Sequence, residues 1–196
     1  MKKYSLIILI GLLFFCFGFS PHMRVIARKK SVSCNTIISQ TTQDAAITIG
    51  SDAANIWGAV PFYPGGIATI KTFYIMLAVN RTGDMAGEVI TASICTQSGG
   101  NPTETCTNAD ATLDCTTLTT TPTEYKFNIA AGYVVADVTN YGLRIHQSKA
   151  DAGDYIYYYY NSTGTRKASY NDDPATSWTD KDTSAEAYIV AKDCVE

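Results

Sequence analysis

The sequence predicts an all-β fold: a two-sheet antiparallel β-sandwich, jelly-roll-like, after an N-terminal hydrophobic signal segment. Three observations carry that expectation. Residue usage favours extended chain, with 13 Tyr, 7 Phe, abundant Thr and only 17% charged residues, and aromatic and β-branched side chains suit a pleated, half-buried surface. Apolar residues recur at every second position in several runs, as they do in strands with one buried face. Turn residues separate these runs, and no window after residue 30 carries an apolar stripe at helical period, which excludes βαβ units.

The elements follow in order. Lys2 and Lys3 precede 14 residues of low polarity, LIILIGLLFFCFGF at 6–19. That is the length of a signal-peptide core and short of the roughly 20 residues a spanning helix needs. Residues 1–30 therefore read as signal peptide and basic linker, and 31–196 as a single sandwich domain without a stable membrane span. Gly18-Phe19-Ser20 and Val25-Ile26-Ala27 are the two cleavage options, and Phe15 before Cys16 does not fit a lipidation site.

Strands are predicted at 45–50, 57–63, 70–79, 88–96, 124–130, 140–147, 154–160 and 185–192. Alternation is strict in Phe73, Ile75, Leu77, Val79; in Ile90, Ala92, Ile94; in Tyr125, Phe127, Ile129; and in Tyr141, Leu143, Ile145. Turns are predicted at Pro64-Gly65-Gly66, Arg81-Thr82-Gly83-Asp84, Gly99-Gly100-Asn101-Pro102, Ala150-Asp151-Ala152-Gly153 and Asn161-Ser162-Thr163-Gly164. The Thr-rich stretch 116–123 reads as a loop or edge connection. The sequons at Asn80 and Asn161 fall on predicted turns and matter only in a glycosylating host.

Five cysteines remain after the signal segment: Cys34, Cys95, Cys106, Cys115 and Cys194. There is no C-x-x-C, and His146 is the one histidine beyond the leader, so no metal is expected. Disulfides are the better reading in an exported chain. Cys34 and Cys194 lie near the two ends of the domain, and termini of compact domains often meet, so they are paired here. Cys106 has two options, Cys95 across the intervening turn or Cys115. The odd thiol is free or joins another chain.

Charge narrows the function. Six of the 15 basic residues precede residue 31 and no acid does, which leaves nine basic against 18 acidic residues, a net of −9. Such a body repels phosphate, so nucleic acid is not an expected partner. A nucleophilic triad needs a histidine base, and alternation places His146 on an outward face, away from Leu143 and Ile145. No catalytic residues and no cofactor are assigned. Calcium is the one weak candidate, through Asp172, Asp173, Asp180 and Asp182 or through Asp151 and Asp154, but none has a known ligand spacing. Acids in turns supply turn hydrogen bonds. A polysaccharide hydrolase, which needs two convergent carboxylates, is the weakest alternative.

The unusual run is Tyr155, Ile156, Tyr157, Tyr158, Tyr159, Tyr160. In a strand, Tyr155, Tyr157 and Tyr159 share one face, and Tyr158 and Tyr160 share the other. One face must point away from the core, and amphipathic rings there suit stacking on sugars or anchoring a protein contact. All five tyrosines are candidate ligand-binding residues. The alternative is cross-strand aromatic pairing that only stabilises the sheet. Trp57 and Trp178 read as packing residues.

The order of motifs resembles a known family. A strand ending at Leu77 leads to Arg81-Thr82-Gly83 and Gly87, then VITASI, SGGNP, a Thr/Leu-rich stretch, EYKFNI, YGLRI and SWTD. This is similar to the choice-of-anchor jelly-roll domains of prokaryotic secreted and cell-surface proteins, over roughly 45–192. The resemblance implies display at the cell surface or secretion, a non-catalytic role and similarity to carbohydrate-binding sandwiches. It offers no catalytic residues to carry over. Expected partners are a glycan or surface polymer, or a protein partner including a second copy; a structural subunit of an extracellular assembly is the alternative.

Overall fold

The computed structural model describes residues 33–52, 56–98, 101–136, 139–171 and 178–196. The predicted signal segment and linker lie outside them, as do Asp172 and Asp173. Twelve strands run through the described residues: β1 (Thr36–Gln40), β2 (Ala45–Ile49), β3 (Trp57–Phe62), β4 (Ala68–Arg81), β5 (Val89–Ser98) and β6 (Asn101–Asn108), then β7 (Leu113–Asp114), β8 (Thr123–Val135), β9 (Tyr141–Gln147), β10 (Asp154–Asn171), β11 (Thr179–Ala187) and β12 (Ile189–Lys192). Every pairing is antiparallel. No α-helix occurs among them, and no helix there is long and apolar enough to cross a membrane.

Two antiparallel sheets pack against each other. In the first, β8 lies on one side of β4, and on the other side β12 and the start of β10 pair with successive parts of β4. Beyond these lie β1, on β12, and β2, on β10. The second sheet runs β6, β5, β9, β3 and the end of β10. Strand β10 thus belongs to both: Tyr157 pairs with Ala78 of β4, and Ser169 pairs with Ala59 of β3. Its pairing with β11 shifts register three times between Asn161 and Ser169, and bulges of this kind bend a strand from one sheet toward another. Gly164 lies in the bend. A Cβ there would stand 2.2 Å from the carbonyl carbon of Ala185, so only glycine lets β11 approach this closely.

The alternating positions read from the sequence fill the space between the sheets. Phe73, Ile75, Leu77 and Val79 from β4 are buried, as are Ile90, Ala92 and Ile94 from β5 and Tyr141, Leu143 and Ile145 from β9. Phe73 stacks on Phe127 with centroids 5.5 Å apart, and Phe62 stacks on Tyr141 at 5.7 Å.

Several boundaries differ from the sequence expectation. Strands β1, β6 and β7 are additional, and 185–192 divides into the end of β11 and β12. The predicted turn at 161–164 is part of β10, because the chain bends there without reversing. The stretch 116–123 begins in a 3-10 turn, Cys115–Thr117, capped by Asp114. Arg81 Nη2 ties that turn down by donating to the carbonyls of Cys115, Thr116 and Leu118 at 3.0, 3.2 and 3.4 Å. Asn80 and Asn161 both lie in strands.

Cys34 is bonded to Cys194 and Cys95 to Cys106, which settles the choice left open for Cys106. Beside the first bridge, Asn35 donates from its backbone and side-chain nitrogens to the two carboxylate oxygens of Asp193. Sequence separations of 160 and 11 rank the two bridges. Chain entropy predicts that Cys34→Ser/Cys194→Ser costs about 5 kcal/mol and Cys95→Ser/Cys106→Ser about 3 kcal/mol. Urea denaturation of the two double variants checks that order.

Candidate binding face

The first half of β10 separates its side chains cleanly. Ile156, Tyr158 and Tyr160 enter the core at 0, 0 and 3% exposure. Tyr155, Tyr157 and Tyr159 stand half-buried on the opposite side. Tyr158 and Tyr160 are therefore removed from the candidate set: with period two, the face they share with Ile156 is the one the sandwich closes over. The Tyr158 hydroxyl finds no partner in that interior, and burial raises its ionisation well above the ordinary value.

The three outer rings form a row along one strand. Tyr155 and Tyr157 meet edge to face with centroids 5.4 Å apart, and Tyr157 and Tyr159 are tilted at 6.3 Å. The hydroxyls of Tyr155 and Tyr157 lie 3.3 Å apart. That shared hydrogen bond, then burial, raises the Tyr157 phenol, which keeps it protonated near neutrality. Across the neighbouring strands, Tyr157 faces Ala78 and Thr48, Tyr159 faces Ala46, and Tyr155 faces Asn80. Cross-strand aromatic pairing is thus not what holds these rings. The three rings are half-buried and tilted to one another, not laid as a single flat platform, and Ala78, opposite Tyr157, is fully covered.

Past Tyr159, alternation brings Asn161 to the same side of β10. Asn161 lines a cleft of about 230 Å³ together with Ser39, Gln40, Thr41, Thr42 and Glu186. Gln40 Nε2 donates to Glu186 Oε1 at 2.9 Å and to the carbonyl of Tyr63 at 3.2 Å. The connection from β1 to β2 is fastened onto β10 by Asp44, which accepts from the backbone N–H and hydroxyl of Ser162 at 2.6 and 2.9 Å. These two bonds hold the Asp44 carboxyl below its usual range. Sequence reasoning missed this cleft because it depends on β1, whose TIISQ sequence has no clear alternation.

Asp84, Asp114 and Asp151 make the local turn bonds expected of them, whereas Asp110, Asp154 and Asp193 accept from amides 20 to 158 residues away. Backbone amides donate to the carboxylates of Asp84, Asp110, Asp114, Asp151, Asp154 and Asp193. Asp151 and Asp154, one of the calcium pairs considered, are among them. Asp154 is buried and accepts from Thr82 and Gly83 at 2.7 and 2.8 Å. Among the described residues, the one grouping of potential metal ligands is Cys34, Cys194 and Glu196, and both its sulfurs are spent in a disulfide. Buried Glu88 accepts from Gln147 Nε2 at 3.0 Å.

His146 does lie outward, on the second sheet, where its ring stacks on Trp57 at 3.9 Å and 23°. The Arg144 guanidinium sits 4.7 Å from the centre of the same indole. The register partners of His146 are Trp57 and Thr91. Cys115 is the odd thiol, free and fully buried. Burial first, then Glu88 and Asp114, push it up to about 12.

Compared with known proteins, the chain matches no family model, no curated protein and no solved structure. The resemblance to choice-of-anchor domains rests on its motifs alone.

Two outcomes follow from these environments. Cys115 should resist a thiol reagent in the native protein and react stoichiometrically in denaturant, as a buried thiol does. Burial, then the charge of Arg144, lower the His146 imidazole from 6.5, so the unfolded chain takes up the proton first. Its contribution to stability is complete above that value and is lost as pH falls through the folded one. Urea midpoints measured between about pH 7 and about pH 5 should decline in the wild type and decline less in His146→Gln.

Proposed function

We propose that this chain is an exported, non-catalytic sandwich module that holds a glycan or other surface polymer against the outer face of its first sheet. The observation that carries the reading is the row Tyr155, Tyr157, Tyr159, three half-buried rings in mutual contact on the side of β10 away from the core. Amphipathic rings in such a position contribute apolar contact and a polar edge at little conformational cost. Their mutual tilt favours a ligand that follows the row and touches successive ring faces and edges.

Export is supported by the apolar leader and by two disulfides, which persist in oxidising compartments. The resemblance to jelly-roll choice-of-anchor domains points to display at a cell surface or to secretion. A non-catalytic role is supported by Asp44, Asp84, Asp110, Asp114, Asp151, Asp154 and Asp193, whose carboxylates accept from backbone amides, and by His146, which packs on Trp57. The alternative of a structural subunit joined to its neighbours through the odd cysteine loses that link, since Cys115 is buried.

A glycan array comparing wild type with Tyr157→Ala and Tyr159→Ala tests the reading. Each variant should lose about tenfold or more in affinity, as for aromatic anchors at other interfaces. Absence of binding by the wild type, or equal binding by both variants, would overturn it.

A further inference from the structure

We infer that the cleft at the end of the tyrosine row is a sugar subsite, seating one ring of a neutral, hydroxyl-rich glycan chain whose neighbouring rings lie along Tyr159 and Tyr157. This rests on the tyrosine face being the binding surface and adds to it the chemistry of the ligand.

Continuity is the first argument. Asn161 stands two residues beyond Tyr159 on the same side of β10 and forms part of the cleft wall. A chain held against the rings is led directly into it. Size is the second. At about 230 Å³ the cleft is smaller than the roughly 300–1,000 Å³ that drug-sized ligands occupy, which suits one saccharide ring with the rest of the polymer outside.

The lining decides the ligand class. Ser39, Thr41 and Thr42 bring hydroxyls, Gln40 and Asn161 bring amides, Glu186 brings a carboxylate, and no basic residue takes part. A carboxylate accepts and never donates, so it selects a ligand carrying O–H donors and opposes one carrying acid groups. The net charge of −9 from residue 31 onward repels an acidic polymer in the same sense.

The polar groups are also held in place before any ligand arrives. Gln40 bridges Glu186 to the Tyr63 carbonyl, and Asp44 clamps the 41–44 connection onto Ser162. Asn161 Oδ1 accepts from the backbone N–H and hydroxyl of Thr163 at 2.9 and 2.7 Å. Groups fixed this way lose little freedom on binding.

Affinity electrophoresis in gels carrying a neutral glucan, a neutral mannan, a neutral galactan or polygalacturonate tests the inference with wild type, Tyr157→Ala and Glu186→Ala. Near-UV circular dichroism confirms that each variant is folded, and Glu186→Gln, which keeps the side chain's shape, serves as a second cleft variant. The expected result is retardation of wild type by at least one neutral polymer and not by polygalacturonate. Loss of the charged hydrogen-bond acceptor in either Glu186 variant should weaken that binding about tenfold or more. Wild type and both Glu186 variants binding alike, with Tyr157→Ala defective, would overturn the subsite and leave the tyrosine face standing. Preference for polygalacturonate would do the same. Wild type binding none of the four polymers would overturn the subsite and count against a glycan as the ligand of the face.

Discussion

Strand β10 is hydrogen-bonded into both sheets, and the rest of the molecule is arranged around that sharing. Its first residues lie between β2 and β4, and its last residues pair with β3. A strand in this position cannot slip: a shift of one residue would turn Ile156, Tyr158 and Tyr160 out of the core and bring Tyr155, Tyr157 and Tyr159 into it. The same register that seals the interior therefore sets which tyrosines face solvent. Core and candidate site are two sides of one pairing, so the site is as rigid as the fold itself.

The bend in β10 extends that coupling to the cleft. Asn161 falls where the strand leaves the first sheet, and Glu186 opposes it on β11. Both sides of the cleft thus come from strands that the core already fixes, and only the 41–44 connection is loop. Asp44 and Gln40 close that connection down by side-chain bonds to Ser162, Glu186 and the backbone of Tyr63. Hydrogen bonds give this region its order.

Legibility in the sequence followed the strength of each local pattern. Where one face is fully buried, as in Phe73 to Val79, alternation alone placed the strand. Where a strand is short or polar the pattern disappears: TIISQ has little alternation and NPTETCTN is polar, and each is placed by its backbone pairing, with β12 and with β5. Asn161-Ser162-Thr163-Gly164 reads as a reversal because Asn, Ser and Gly are turn residues. The glycine is there for a different reason, the close passage of the Ala185 backbone, which only the tertiary fold reveals. For the tyrosines, sequence divided the run into two faces but could not say which face turned inward. The branched neighbour Ile156 was the available signal, and burial follows it. The cleft had no such signal, being assembled from residues more than a hundred positions apart.

One feature of the cross-linking has a mechanical side. The Cα atoms of Cys34 and Cys194 lie 5.3 Å apart, and their bond brackets nearly all of the sandwich. Tension entering at one end of the domain and leaving at the other would pass through that covalent link, short-circuiting the sheets. The strands would stay unloaded under pulling forces that would peel apart an unbridged sandwich, and the tyrosine row would keep its shape on a molecule under shear.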